Sequence, residues 1–191
     1  GIPLLDLKGL LNEKRITDLI DAVVRRGGCV KNLHGQKNVY YQVNATYYSA
    51  LGEDDRKMVL ARAIQMFMPG KPQVWYLDLF AGQNDYEAMR RAGKDGHKEI
   101  NRTNLSTKDV AERLKKQVVL DQLELLRMRN SFRIFSHEAN ISAESVGSRL
   151  TVWWHSEDST ARLTADFADT SFLITIQDGK STDETFRFEQ K

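Results

Sequence analysis

Two short stretches of this sequence gather groups able to hold a polar ligand. Gln83-Asn84-Asp85 closes an apolar run from Val74 to Phe80, and His97-Lys98-Glu99 with Asn101-Arg102 follows in the next segment. A third stretch, Val39-Tyr40-Tyr41-Gln42-Val43-Asn44, is rich in phenol and amide groups. Metal chemistry is not indicated, because His34, His97, His137 and His155 lack compact ligand spacing, and no metal site is expected. Cys29 has no adjacent basic or histidine partner in a nucleophile pattern and reads as incidental.

The elements that position these groups can be read from periodicity and breakers. A helix over about Glu53 to Met68 has Val59, Leu60, Ala63, Ile64 and Phe67 for a core face, and Pro69-Gly70 stops it. The run Val74–Phe80 is too short for a membrane helix and has the length of a buried parallel strand, with Trp75 and Tyr76 in the core. In α/β folds ligands bind beyond the C-terminal ends of such strands, where Gln83-Asn84-Asp85 stands. Asn12 caps a helix through Arg26 whose apolar face holds Ile16, Leu19, Ile20, Val23 and Val24, with Gly27-Gly28 ending it. Residues Cys29 to Asn38 read as a loop, and Val39–Asn44 as a short extended piece. A short helix over Asn84–Ala92 stops at Gly93, and Ser106-Thr107-Lys108-Asp109 forms a capping box opening one long helix with Val110, Leu114, Val118, Leu125 and Met128.

After Phe135 the pattern changes. Runs at 141–144, 149–156, 160–167, 171–177 and 184–189 are β-branched or aromatic, partly alternating, and separated by Gly, Asp and Ser turns, which predicts an antiparallel sheet. Of Trp153 and Trp154, one must pack inward, since adjacent strand residues face opposite ways. The expected fold class is therefore α/β plus all-β in two modules, 1–135 and 136–191.

The 191 residues are 41% hydrophobic and 28% charged, which suits one or two compact domains. The net charge of +2 is spread over interleaved signs, so no nucleic-acid footprint is expected. One cysteine excludes an internal disulfide framework and fits the reducing cytoplasm. No stretch reads as a signal peptide and no apolar run reaches the roughly 18 residues of a membrane span, so no membrane partner is expected. Gly1 in place of Met suggests an N-terminus set by processing, cloning or truncation.

Residues 41–52 (Tyr41-Gln42-Val43-Asn44-Ala45-Thr46-Tyr47-Tyr48-Ser49-Ala50-Leu51-Gly52), Ala61-Arg62-Ala63-Ile64-Gln65 with Pro69-Gly70, Pro72-Gln73-Val74, Ala81-Gly82-Gln83-Asn84-Asp85 and Glu99-Ile100-Asn101-Arg102 together resemble the sucrose phosphorylases of glycoside hydrolase family 13. The likeness runs in order over about residues 1–135 and more weakly beyond. It implies the C-terminal part of a (β/α)8 barrel of the α-amylase type followed by a small antiparallel β domain. It further implies a retaining double displacement, with a glucosyl unit passing through a covalent intermediate to inorganic phosphate, which serves as co-substrate with no other cofactor. The three catalytic carboxylates of the family precede a Gly-Ile like Gly1-Ile2, so none is expected in this chain, whose partners would be the rest of the barrel and a small sugar or sugar acid. A homodimer is compatible with this reading.

The resemblance also assigns residues. Tyr41 and Gln42 match acceptor-loop positions, where a phenol and an amide can bond a sugar or phosphate; ordinary loop packing is the alternative. Val39 and Tyr40 replace an Asp-Leu pair of the sucrose phosphorylases in a segment that contacts the leaving group or acceptor. Lys98 aligns with an arginine that binds the glucosyl unit, and His97 can serve the same pocket; for both the alternative is a solvated loop charge. Glu99 and Arg102 read as structural. The His-Lys-Glu form looks nearest the glucosylglycerate phosphorylase branch, so glycerate is the expected acceptor. Sucrose or sucrose 6-phosphate phosphorolysis is the alternative, and a non-catalytic partial-barrel interaction module the alternative should the chain stand alone.

Overall fold

The computed structural model describes residues 2–7, 9–32, 40–136, 138–179 and 185–190. The chain divides into two compact units that do not follow chain order: one takes residues 1–54 and 75–116, the other 55–74 and 117–191.

The first unit is built on a three-stranded antiparallel sheet. Its strands are β1 (Ile2–Pro3), β2 (Cys29–Asn32) and β3 (Tyr40–Asn44), in the order β1-β3-β2. Val43 stands opposite both Ile2 and Val30. Helix α1 (Glu13–Arg25) begins where the Asn12 side chain accepts the Arg15 N–H at 2.9 Å, and the chain leaves it at Gly27, whose φ of +86° suits a residue without a Cβ. Ile16 and Val23 bury against Leu4 and Val43, with Leu19, Ile20 and Val30 packed around them. Val24, expected on the same face, lies at the edge of the helical stripe and is exposed.

Two expectations fail in this unit. The predicted loop at Cys29–Asn38 opens as strand β2: Cys29, Val30 and Lys31 pair with Asn44, Val43 and Gln42, so ladder formation outweighs the missing alternation. The remainder of that predicted loop, from residue 33 on, lies outside the described residues. The run Val74–Phe80 is not a parallel strand. Trp75 is extended, with φ −72° and ψ 134°, and Tyr76–Leu79 then forms a one-turn helix, α4. A parallel strand is stabilised by neighbours on its edges. Among the described residues none pairs with this segment, so local i to i+4 bonding prevails. Only Leu77 of α4 is buried, while Trp75 is 52% exposed rather than a core residue.

Short helix α2 (Tyr47–Ala50) is capped by Thr46, and α5 (Tyr86–Ala92) by Asp85. A 3₁₀ segment, Gly93–Asn101, leads to α6 (Thr107–Arg113), which opens with the expected reciprocal box between Ser106 and Asp109. The predicted long helix is two helices. A turn at residues 114–116 separates α6 from α7 (Gln117–Ser131), because the apolar residues on either side serve different units. Leu114, at the break, is exposed, whereas Val118, Leu125 and Met128 are buried.

In the second unit, α3 (Asp55–Phe67) and α7 pack on each other, and α3 also covers a five-stranded antiparallel meander. Its strands are β4 (Asn140–Val146), β5 (Arg149–His155), β6 (Thr160–Asp166), β7 (Ser171–Gln177) and β8 (Thr185–Gln190), in chain order. Alternation works as expected: Ala161, Leu163 and Ala165 on β6 and Phe172, Ile174 and Ile176 on β7 are buried, each large side chain contributing about 1.5–3 kcal/mol. Helix α3 is buried on more than one face, since Met58, Val59, Leu60, Ala63, Met66 and Phe67 are all enclosed. Arg62, also buried, donates through Nε to Gln122 Oε1 at 3.0 Å. Of the tryptophan pair, Trp154 packs inward at 2% exposed.

Candidate functional site

Strand β3 and the 3₁₀ segment Gly93–Asn101 bring their polar residues to one cavity of about 470 Å³ in the first unit. Gln42 and Asn44 reach it from β3, two residues apart and therefore on the same strand face. Lys98, Asn101 and Arg102 reach it from the other arm. Trp75, Tyr47 and Asp78 complete the polar and aromatic lining.

Hydrogen bonds hold the arms in register. Asn101 Nδ2 donates to the Ala45 carbonyl at 3.2 Å, joining the 3₁₀ segment to the end of β3. The Trp75 indole N–H donates to the Asn101 carbonyl at 3.3 Å, and its ring lies 4.8 Å from that of Tyr76. Tyr76 in turn donates its hydroxyl to the Thr103 carbonyl at 2.7 Å. Asp78 accepts the Tyr47 N–H at 2.8 Å, tying α4 to the start of α2. Arg102 Nη1 meets Glu99 Oε1 at 3.2 Å on the surface.

Asn44 is the most enclosed polar group here. It is 1% exposed, and its Nδ2 finds no acceptor among the described residues. A buried amide N–H without an acceptor is costly, so a polar group arriving in this cavity would gain a ready donor if the wall yields to it.

The sequence-derived candidates fare differently. Gln42 and Lys98 both line the cavity. Tyr40 and Tyr41 belong to β3, but their side chains lie outside the described residues. His97 is half-buried in the 3₁₀ segment and is not among the cavity residues. Sequence reasoning named Asn44 and Asn101 only as members of polar stretches, read Trp75 as core and Arg102 as structural, and missed Tyr47 and Asp78. The signal for Asn44 was its two-residue spacing from Gln42; that for Asp78 was its position one turn after Trp75, legible only once the segment is known to be helical.

Chemically, the lining offers amide, ammonium and guanidinium donors beside an aromatic face, the Trp75 indole N–H being given to the Asn101 carbonyl. Asp78 is the carboxylate among the described lining residues. The donors of the lining can hydrogen-bond a polar or anionic ligand. Cys29 is remote from such chemistry: burial pushes its thiol pKa up, and its Sγ lies 3.4 Å from Met89 Sδ.

No protein-family model matches the chain. It is 52% identical over 184 residues to a sucrose 6(F)-phosphate phosphorylase of Ilumatobacter coccineus, a match covering 92% of this chain and 35% of that protein. The crystal structure of sucrose 6F-phosphate phosphorylase from Thermoanaerobacter thermosaccharolyticum superposes with a TM-score of 0.82 at 35% identity, covering 95% of this chain and 36% of that one. A glucosylglycerate phosphorylase of Escherichia coli is 28% identical over 165 residues, covering 78% of this chain and 29% of that protein. The chain thus spans about a third of the length of the relatives it matches. The order of similarity corrects the expectation drawn from His97-Lys98-Glu99: the likeness to sucrose 6-phosphate phosphorylase exceeds that to the glucosylglycerate branch.

Proposed function

We propose that this chain is the C-terminal part of a retaining α-glucoside phosphorylase, with residues 1–135 completing a (β/α)8 barrel and 136–191 forming its β domain. The observation that carries the reading is the 52% identity to a sucrose 6(F)-phosphate phosphorylase across nearly the whole chain. The cavity supports it, since Gln42 and Lys98, assigned from separate motifs, both line it.

On this reading an upstream carboxylate attacks the anomeric carbon as the glycosidic C–O bond breaks, and a second carboxyl group delivers its proton to the leaving oxygen. Phosphate then displaces the enzyme carboxylate, giving glucose 1-phosphate. The residues of this chain hold and orient: the Gln42 amide addresses the acceptor, and the Lys98 ammonium donates to a glucosyl hydroxyl. Excluding water from the cavity favours phosphate as nucleophile. Fructose 6-phosphate, or fructose itself, is the acceptor this reading favours. The protein belongs in the cytoplasm, a reading supported by its single thiol.

The test is phosphate release from glucose 1-phosphate by the full-length protein, offered fructose 6-phosphate, fructose or glycerate. Preference for fructose 6-phosphate or fructose supports the proposal. Preference for glycerate overturns the acceptor, and no release with any of the three overturns the phosphorylase reading.

A further inference from the structure

Asn84 and Asp85 are adjacent in sequence, yet their side chains bond to different arms of the cavity. Asn84 Oδ1 accepts the Thr46 N–H at 2.8 Å, just beyond the strand that carries Gln42. Its backbone N–H donates to Ser49 Oγ at 3.0 Å, and its Nδ2 donates to the Gly27 carbonyl at 3.3 Å. Asp85 turns to the other side. Its N–H donates to the Ile100 carbonyl at 2.8 Å, and its Oδ2 accepts the Thr103 hydroxyl at 2.9 Å, so it grips the segment that carries Lys98 at two points. Its Oδ1 accepts the Ala88 N–H at 2.8 Å and caps α5.

We propose that Asn84 and Asp85 are positioning residues that set the two arms separately, Asn84 the Gln42 arm and Asp85 the Lys98 arm. Neither residue lines the cavity, so each acts through the backbone it holds. Asn84 accepts the N–H of Thr46, the residue that caps α2, while its amide anchors to the α1–β2 turn at the Gly27 carbonyl, so it ties the end of β3 to that turn. Asp85 links the C-terminal end of the Lys98 segment, at Ile100 and at Thr103 just beyond it, to the start of α5. The two residues are joined by one planar peptide bond, so the anchors of the two arms are neighbours in the chain. The assignment of each arm to a part of the substrate rests on the phosphorylase reading; the clamp itself does not.

Two measurements on the full-length protein separate these. Backbone hydrogen exchange should quicken at residues 42–46 in Asn84→Ala and at 98–103 in Asp85→Asn, each leaving the other arm as in the parent. Thr103→Val removes one hydroxyl from the Asp85 grip and should quicken 98–103 alone, with Thr103→Ser restoring it. Equal changes in both arms, or none, overturn the clamp whatever the protein catalyses. In steady-state kinetics Asn84→Ala should raise KM for the acceptor about tenfold with kcat little changed, and Thr103→Val should do so for glucose 1-phosphate. The Asn84→Ala effect should largely vanish in a Gln42→Ala background, and the Thr103→Val effect in Lys98→Ala. Additive losses overturn action through those residues. A parent enzyme without phosphorylase activity overturns the phosphorylase reading and leaves the exchange result to decide the clamp.

Discussion

The indole N–H of Trp154 donates to the carbonyl of Phe67 at 2.9 Å, fastening strand β5 to the last residue of helix α3. Both residues are buried, Phe67 at 0% and Trp154 at 2% exposed, and Phe135 packs edge-on against both rings. The Phe67 carbonyl sits in the last turn of its helix, where intrahelical donors run out.

Trp154→Phe keeps most of the ring and removes the donor. It should destabilise the chain by about 1–3 kcal/mol, the cost of an unsatisfied buried carbonyl plus lost packing. Urea unfolding reads this directly, and a change within the error of the extrapolation would show that the bond contributes little.

Arg129 lies beside the same cluster, with its guanidinium carbon 4.6 Å from the ring centroids of both Phe135 and Trp154. Its Nη2 donates to the Gly70 carbonyl at 2.8 Å. A planar guanidinium can lie against both of these mutually edge-on rings, which a compact ammonium does less well, so Arg129→Lys should cost about 1–2 kcal/mol despite keeping the charge. Equal stability of the two proteins in urea would refute the stacking argument.

Gly82 introduces the polar loop, and a Cβ there would meet the Leu77 side chain and lie 2.9 Å from its carbonyl oxygen. Gly82→Ala should therefore destabilise by about 1–3 kcal/mol and shift the Asn84–Asp85 pair. Thermal unfolding combined with exchange at residues 42–46 and 98–103 checks both effects; an unaltered melting curve counts against the close approach.

The Asp85 carboxyl is held below the ordinary aspartate range, chiefly by the Ala88 N–H, against an opposing effect of burial and with help from the Thr103 hydroxyl. Its folded pKa is thus lower than the unfolded value of about 3.9, and the unfolded state takes up a proton first as pH falls. The stability it contributes is complete above the unfolded value and declines as pH drops toward the folded one. Asp85→Asn should flatten the acid limb of the stability profile below about pH 4.5. An acid limb identical to the parent's would remove Asp85 from that role.

Gln42 and Lys98 line the cavity, and His97 does not. In the full-length protein Gln42→Ala and Lys98→Met should each raise a substrate KM about tenfold, equivalent to ~1.4 kcal/mol of binding, while His97→Ala stays within about twofold. A larger effect at His97 than at Lys98 would reverse the assignment of that arm.

Much of this protein follows from local rules that act over a few residues. Asn12 and Ser106 cap helices because a short polar side chain reaches the free N–H groups of the first turn, wherever the helix then packs. The five strands after Phe135 appear where alternation and turn residues place them, and Gln42 and Lys98 could be singled out from their motifs. Tertiary structure decided the rest. Cys29–Asn32 became a strand because β3 offered a partner, whereas Val74–Phe80 had none and coiled into α4. The apolar period from Val110 to Met128 could not reveal the turn at 114–116, since one stripe cannot report that its halves enter different cores. Trp75, Asp78 and Asn44 meet in the cavity only through contacts between distant segments. Capping and alternation are set by near neighbours in sequence, but ladders, burial and cavities depend on which remote groups arrive beside them.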